Sequence, residues 1–313
     1  MNQTLAVRDR TDRARGLFQR TREERFAVGA FNVDNFETLR AIALAAAATR
    51  APVLFEVSAS EVAVLGLTNL RSLVDNTVEE LGIEAYLNLD HAPSVDLALA
   101  AMDAGFELIH IDLSQAHPGI SADDIIAGTR KVVERARSTG AMVESELRGF
   151  AGSSTVHQTP IDQQQVAGTL TDPDEARTFV EVTGIDTFAV AIGNLHGRYP
   201  TTPHLDLGLL ARLRADVEVN LSLHGGSGIP DEELRAAVAG GISKINVNTD
   251  LRYAYRSTLQ RQLDAHPDEY AVVKLMPPVI EAVQGVVQAR IRVFGSGGHG
   301  PAPPSTQHHQ RDP

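Results

Sequence analysis

His91, His196 and His224, together with Glu146, each stand at or just beyond the end of a short apolar or β-branched run, and Asp90 directly precedes the first. Neutral imidazoles joined by a carboxylate are the donor set of a catalytic zinc, which keeps one coordination position open for substrate. Any one of these histidines alone reads more simply as a hydrogen-bonded cleft residue. Three at successive strand ends reverse that reading, because a (β/α)-barrel gathers its strand ends around one mouth. The chain contains no cysteine. Thiolate zinc sites, disulfides and cysteine nucleophiles are therefore excluded together, and a transition metal must be held by nitrogen and oxygen.

The elements that would position these residues follow a steady rhythm. Strand-like runs at 26–31, 52–57, 85–89, 108–113, 141–146, 187–192, 218–223 and 243–247 alternate with amphipathic stretches at 37–49, 68–81, 95–104, 122–138, 173–183, 207–215 and 230–239. Periods switching between two and 3.6 in this way predict βαβ units and a parallel sheet. Eight strands predict an α/β fold, a TIM (β/α)8 barrel, with additional C-terminal helices over 251–265 and 271–292. An open doubly wound sheet is the alternative, but it collects function at one switch point, whereas polar residues here recur around the whole set.

A single catalytic domain is expected over 1–294, with an N-terminal helical lead-in, and the Gly-, Pro-, Ser-, His- and Gln-rich stretch 295–313 reads as a disordered tail. The segment 147–171 is longer than ordinary connections and reads as an irregular, functional loop. Lys+Arg 28 against Asp+Glu 40 gives a net charge of -12, which argues against nucleic-acid or anionic-membrane partners. The first 26 residues are studded with charge and lack an apolar core. The expectation is a cytoplasmic protein with no membrane segment.

A phosphate site has its own logic. Gly225, Gly226, Ser227 and Gly228 follow the seventh run, so backbone N–H groups can approach an anion closely. The eighth run ends in Asn246, Val247, Asn248 and Thr249, which supply amide and hydroxyl donors. A glycine run alone is more often a turn than a ligand site. Loops after the seventh and eighth strands are the usual phosphate position in this fold, so the two segments support each other.

Taken in order, Gly-Ala-Phe-Asn-Val at 29–33, Leu-Asp-His at 89–91, Val-Glu-Ser-Glu-Leu at 143–147, Thr-Asp-Pro-Asp-Glu-Ala at 171–176, Ala-Val-Ala-Ile-Gly at 189–193 with His196 and Gly197, Leu-His-Gly-Gly-Ser-Gly-Ile-Pro at 223–230 and Lys-Ile-Asn-Val-Asn-Thr-Asp at 244–250 form one series. That series resembles the class II, metal-dependent ketose-bisphosphate aldolases, which include the fructose- and tagatose-bisphosphate enzymes. An ordered set of motifs is far more specific than any one of them.

The resemblance implies a zinc-dependent TIM-barrel aldolase, a homodimer or homotetramer, that reversibly cleaves a phosphorylated ketose into dihydroxyacetone phosphate and an aldehyde. Another divalent metal, or a monovalent cation, is left open beside zinc. His91, His196 and His224 are the implied metal ligands, with Glu146 as a carboxylate that binds directly or when the metal shifts. Asp112 resembles the family's acidic position beside the metal; its plainer reading is a local cap or pair. The metal would polarise the ketone so that the three-carbon half is stabilised as an enediolate. Asp90 matches the residue that shuttles the proton of the hydroxyl next to the broken bond; otherwise it orients His91. Ser58, Gly197, Gly225, Gly226, Ser227, Asn246, Asn248 and Thr249 are the implied substrate and phosphate contacts. Glu144 shares a strand face with Glu146, and two inward carboxylates call for a compensating cation or hydrogen bonds.

The departures matter equally. Many members carry a glycine-rich loop with an acidic pair, one acid handling the carbon-bound proton; here the chain reads Leu147, Arg148, Gly149, Phe150, Ala151, Gly152. His157 and Asp162 are loop candidates only, Arg148 is a solvated charge or a new anion contact, and Asn88 stands where many members carry a histidine. These differences point to a sugar other than fructose 1,6-bisphosphate. Two other functions remain: a Schiff-base aldolase using Lys244, which shares parity with Asn246, and a non-catalytic sugar-phosphate-binding barrel.

Overall fold

Eight parallel strands close into a barrel in the computed structural model, which describes residues 3–147 and 152–302. The strands are β1 (Val28–Asn32), β2 (Val53–Val57), β3 (Ala85–Ala92), β4 (Leu108–Ile111), β5 (Met142–Ser145), β7 (Thr187–Val190), β9 (Asn220–Leu223) and β10 (Ile242–Val247). Two further strands, β6 (Gly152–Val156) and β8 (His196–Arg198), pair in a separate sheet. Around the barrel the order is β1, β10, β9, β7, β5, β4, β3, β2, so each strand lies beside its neighbours in sequence once the β6/β8 pair is set apart. This is the expected TIM barrel.

Period-two alternation divides each strand between two cores. On the early strands, odd-numbered residues such as Phe31, Phe55, Leu87, Ile109 and Val143 pack outward into the large cluster shared with the helices. Even-numbered Val28, Ala30, Leu54, Tyr86, Leu108 and Met142 pack inward against Ala14, Leu17, Phe18 and Phe26. The N-terminal helix Gln3–Glu24 therefore closes the bottom of the barrel with an apolar plug. Each fully buried phenylalanine there contributes roughly 1.5–3 kcal/mol. One step toward the mouth the inward residues turn polar: Glu56, Asn88, His110, Glu144 and Lys244, all buried.

Local chemistry sets the helix ends. Ser94, Ser121 and Asp172 accept N–H bonds at helix starts, while Gly140 and Gly184 close helices in the left-handed region. The C-terminal helices form as Thr249–Ala265, Val272–Leu275 and Pro277–Phe294, the latter two divided at Met276 ahead of Pro277 and Pro278.

Two expectations are corrected. The tail does not loosen at Gly295: Gly298 donates its N–H to Thr49 O, Gly300 to Arg50 O, and the His299 ring stacks on Phe26 at 4.1 Å. Backbone bonding and an aromatic contact outweigh the composition there; residues 303–313 lie outside those described. The segment 147–171 is not wholly irregular either, since β6 runs parallel to β8, Gly152 opposite His196, and the helix Gln163–Thr169 follows. Pairing with the strand that carries His196 ties this segment to the mouth. Arg148 lies outside the described residues.

Candidate active site

The end of β3 carries the decisive local irregularity. Strict alternation would turn His91 away from the face that Asp90 occupies. Instead the β3/β4 register shifts between Leu89 and Ala92, and His91 takes φ 44, in the left-handed region. A non-glycine residue held there costs about 1–3 kcal/mol. Both Asp90 and His91 consequently line the same cavity.

Asp112 fixes the His91 ring. Its Oδ2 lies 2.7 Å from His91 Nδ1, while Oδ1 accepts from the N–H groups of Ser114 and Gln115. Asp112 is thus both a helix cap and the partner of His91. The other face of the ring points inward, with Nε2 3.0 Å from Nδ1 of His224. His224 is anchored from behind by Glu144 Oε1, 2.7 Å from its Nε2, and Glu144 also accepts from Ser222 and Lys244. His196 completes a triangle: its ring centroid lies 5.2 Å from that of His91 and 6.0 Å from that of His224, with His91 and His224 4.8 Å apart. Two imidazoles on one tetrahedral zinc, at Zn–N of about 2.0–2.1 Å, hold their centroids roughly 5–6 Å apart.

Electrostatics follows this layout. Burial drives His224 and His196 down to about 3, so both are neutral and able to donate a lone pair. Burial also opposes charge on His91, but the carboxylates of Asp90 and Asp112 outweigh it and raise its pKa. Asp90 stays well below the usual carboxylate range, its desolvation overcome by His91 and its neighbouring imidazoles. Glu146 goes the other way: burial and the charge of Asp112 push it up to about 7.

The donor chemistry suits a divalent ion. Asp90, His91, His110 and His224 offer ligand atoms that all lie within 4.8 Å of one another, and so do His91, Asp112 and Glu146. Both carboxylate oxygens of Glu146 are buried without a hydrogen-bond partner. Leaving such atoms unsatisfied costs on the order of 1–3 kcal/mol each, a penalty that a cation between them removes.

A cavity of about 200 Å³ opens beside this cluster. Ser58, Gly197, Gly225, Ser227, Asn246, Asn248 and Thr249 line it, as do Asp90, His91 and His196. Gly225, at φ 65, sits where an added Cβ would meet Leu195 O at 2.0 Å. Gly226 departs from expectation: its N–H is spent on Asn246 O at 2.9 Å and it is absent from the lining. What it supplies is room, since a Cβ would meet Ile245 Cγ2 at 2.7 Å. Ser58 has a second duty as N-cap of the helix Ala59–Leu65, bonded to Glu61.

Other candidates fall elsewhere. Lys244 points into the barrel, but it is wholly buried below the cavity between Glu144 at 2.8 Å and Glu56 at 3.2 Å. Burial opposes its charge, yet these carboxylates raise its pKa, so it is held as the ammonium and not as the free amine a Schiff base requires. Asn88 donates to Glu56 Oε1 at 2.5 Å in the same layer. His157 stacks on Tyr199 at 4.1 Å and Asp162 accepts from Gln164 N; neither is among the described residues lining the cavity.

Several residues escape sequence reasoning. Asn32, Ser60, Gln115 and Arg252 line the cavity; Asn32 lies in the 29–33 motif, where no role was assigned to it, and the other three carry no recognisable motif signal. His110 had a signal: it stands two residues before Asp112, on the same strand face.

The sequence matches the family described as fructose-bisphosphate aldolase class-II over residues 12–299. The chain belongs to that family. It is a class II aldolase, an aldehyde-lyase of a metal-dependent family. It is 34% identical over 305 residues to the fructose-bisphosphate aldolase of Thermus caldophilus, with 90% of this chain and 97% of the relative covered. It is 33% identical over 286 residues to the 6-phospho-5-dehydro-2-deoxy-D-gluconate aldolase of Bacillus velezensis, covering 90% and 94% respectively. The solved YdjI aldolase of Escherichia coli K12 superposes with a TM-score of 0.78 at 28% identity, over 92% of this aldolase and 98% of that chain. Among the aldolase's described residues no helix is long and apolar enough to cross a membrane.

Proposed function

We propose that this class II aldolase uses zinc to cleave a phosphorylated ketose into dihydroxyacetone phosphate and an aldehyde. The reading rests on one relationship: His91 and His196, two members of the triangle that His224 completes, line the same cavity as Gly225, Ser227, Asn248 and Thr249. A three-carbon fragment with a carbonyl at one end and a phosphate at the other spans such a pair of sites.

His91, His196 and His224 would hold the ion, with Glu146 available as a carboxylate ligand. When bound, the ion supplies Lewis-acid polarisation of the ketone. Asp90, kept ionised by the surrounding imidazoles and bonded to Asn246 Nδ2 at 3.3 Å, takes the proton of the hydroxyl beside the bond that breaks. Asp112 and Glu144 orient His91 and His224 from behind. Gly197, Gly225, Ser227, Asn246, Asn248 and Thr249 receive the phosphorylated end, and Ser58 faces the carbonyl end.

The sugar is the open half of the proposal. Relatives at similar identity are named for fructose bisphosphate and for a phosphorylated deoxy-sugar acid, so the panel must contain both. Zinc-reconstituted protein is assayed for dihydroxyacetone phosphate release across phosphorylated ketoses, before and after chelation. Turnover of at least one, lost on chelation and restored by zinc, is the expected result. Binding of sugar phosphates with no turnover of any would instead make the chain a sensor.

A further inference from the structure

His110 is the one histidine at the centre of the cluster to which no role has yet been given. It is fully buried, on β4, with its ring edge-on to those of His91 at 4.4 Å and His224 at 4.8 Å. These are the same two imidazoles that His196 approaches from the cavity side. His91 and His224 thus form a shared edge, with His196 completing an outer triangle and His110 an inner one. Donor atoms of His91, His110 and His224, with Asp90, fall within 4.8 Å of one another; His196 belongs to neither donor group found among the described residues.

The ring of His110 is set up as a ligand is. A metal-bound imidazole carries its proton on the nitrogen that does not bind and donates it to a carboxylate or carbonyl. His110 has a carboxylate beyond each nitrogen: Asp90 Oδ1 lies 3.5 Å from Nδ1 and Glu146 Oε2 3.5 Å from Nε2. Whichever nitrogen binds, the other faces an acceptor. Nδ1 receives only the His91 backbone N–H at 3.3 Å, and Nε2 has no hydrogen-bond partner. Nor do the two Glu146 oxygens beside it. Nε2 and Glu146 Oε2 face each other at 3.5 Å, too far for a good hydrogen bond, and Glu146 Oε1 is left over; packing alone does not call for such a buried set, since an apolar side chain would fill the same space without the penalty.

We propose that His110 is a metal ligand of this aldolase, which with His91 and His224 holds the ion at an inner position, with Glu146 beside it. The inference rests on the metal-dependent reading above and adds to it a ligand from β4.

Two measurements test it without relying on turnover. Anomalous diffraction from crystals of the zinc-loaded, substrate-free wild type locates the ion. A zinc peak about 2.0–2.1 Å from a His110 nitrogen is expected; a peak more than about 3 Å from both nitrogens, beyond any Zn–N bond, overturns the proposal. In solution, zinc affinity of His110→Gln and His110→Asn is measured by competition with a chromophoric chelator. Dissociation constants at least about tenfold higher than wild type are expected, and unchanged constants in both variants overturn it. If neither variant folds, the diffraction result on the wild type decides. A wild type that takes up no zinc or other divalent ion removes the metal-dependent reading itself, an outcome distinct from zinc bound away from His110.

Discussion

Oδ2 of Asp112 lies 2.7 Å from Nδ1 of His91, while Nε2 of the same ring lies 3.0 Å from His224. An ionised carboxylate only accepts, so it selects the His91 tautomer with hydrogen on Nδ1 and a lone pair on Nε2. Asp112→Asn tests that arrangement. The amide oxygen can still cap the helix at Ser114 and Gln115, leaving the NH2 group toward His91. The ring must then turn over its proton to Nε2, where a ligand needs a lone pair. Zinc affinity should fall about 10–100-fold with the fold retained. Chelator competition checks it, and wild-type affinity in the variant would show that Asp112 serves only as a cap.

Asp90→Asn separates proton transfer from metal holding. Loss of a positioned base should lower kcat by roughly 10²–10⁴-fold, with KM changed far less, because Asn keeps the volume and a bond to Asn246. Steady-state kinetics at saturating zinc provide the test. Recovery of full turnover at high zinc would make Asp90 a ligand holder instead.

The eight strands were legible because period-two runs and helical stretches alternate without interruption, and each expected strand overlaps an observed one. His91, His196, His224 and Asp90 were legible because motif order singles them out. His110 was missed although parity with Asp112 placed it on the inner face: its neighbours on the strand are apolar, and an isolated histidine there carries no motif. The left-handed turn at His91 has no sequence signal either, since glycine is the residue that normally marks such a conformation. Gly226 was misread because a glycine run does not say which N–H groups are already bonded within the backbone.

Lys244→Met bears on the Schiff-base alternative. Removing the ammonium leaves the ionised Glu144 buried without its counter-ion, which should destabilise the protein by about 3–5 kcal/mol. Borohydride added to wild type during turnover should trap no substrate adduct on Lys244, as mass spectrometry of peptides would reveal. A trapped adduct would overturn the metal mechanism.

Gly225→Ala addresses the phosphate wall. At φ 65 an alanine is strained, and its Cβ would meet Leu195 O at 2.0 Å, so the turn after β9 must shift. Binding of inorganic phosphate or dihydroxyacetone phosphate, measured by calorimetry, should weaken at least about tenfold, the equivalent of ~1.4 kcal/mol. Unchanged binding would move the phosphate site elsewhere.

Stability of the metal-free protein should depend on pH in a defined window. His91 and His110 have folded pKa values raised above 6.5: burial opposes this, but Asp90 and the other carboxylates prevail. Their contribution is complete below 6.5 and is lost as pH rises through the folded values. Burial raises Glu146 to about 7 and Glu56 to about 8. A raised carboxyl stays protonated in the fold while the unfolded chain ionises, so its contribution also falls, from about 4.5 upward. His196 and His224, lowered to about 3, act oppositely, gaining stability as pH rises but only up to about 6.5. Between 4.5 and 6.5 the two lowered imidazoles offset the two raised carboxyls. From 6.5 to 8 every remaining shift has one sign, each worth on the order of 1 kcal/mol per pH unit at most. Urea unfolding of chelator-treated protein should therefore show stability declining across pH 6.5–8, and Glu146→Gln should make the decline shallower. A flat profile in wild type would show that these groups do not carry the charges assigned to them.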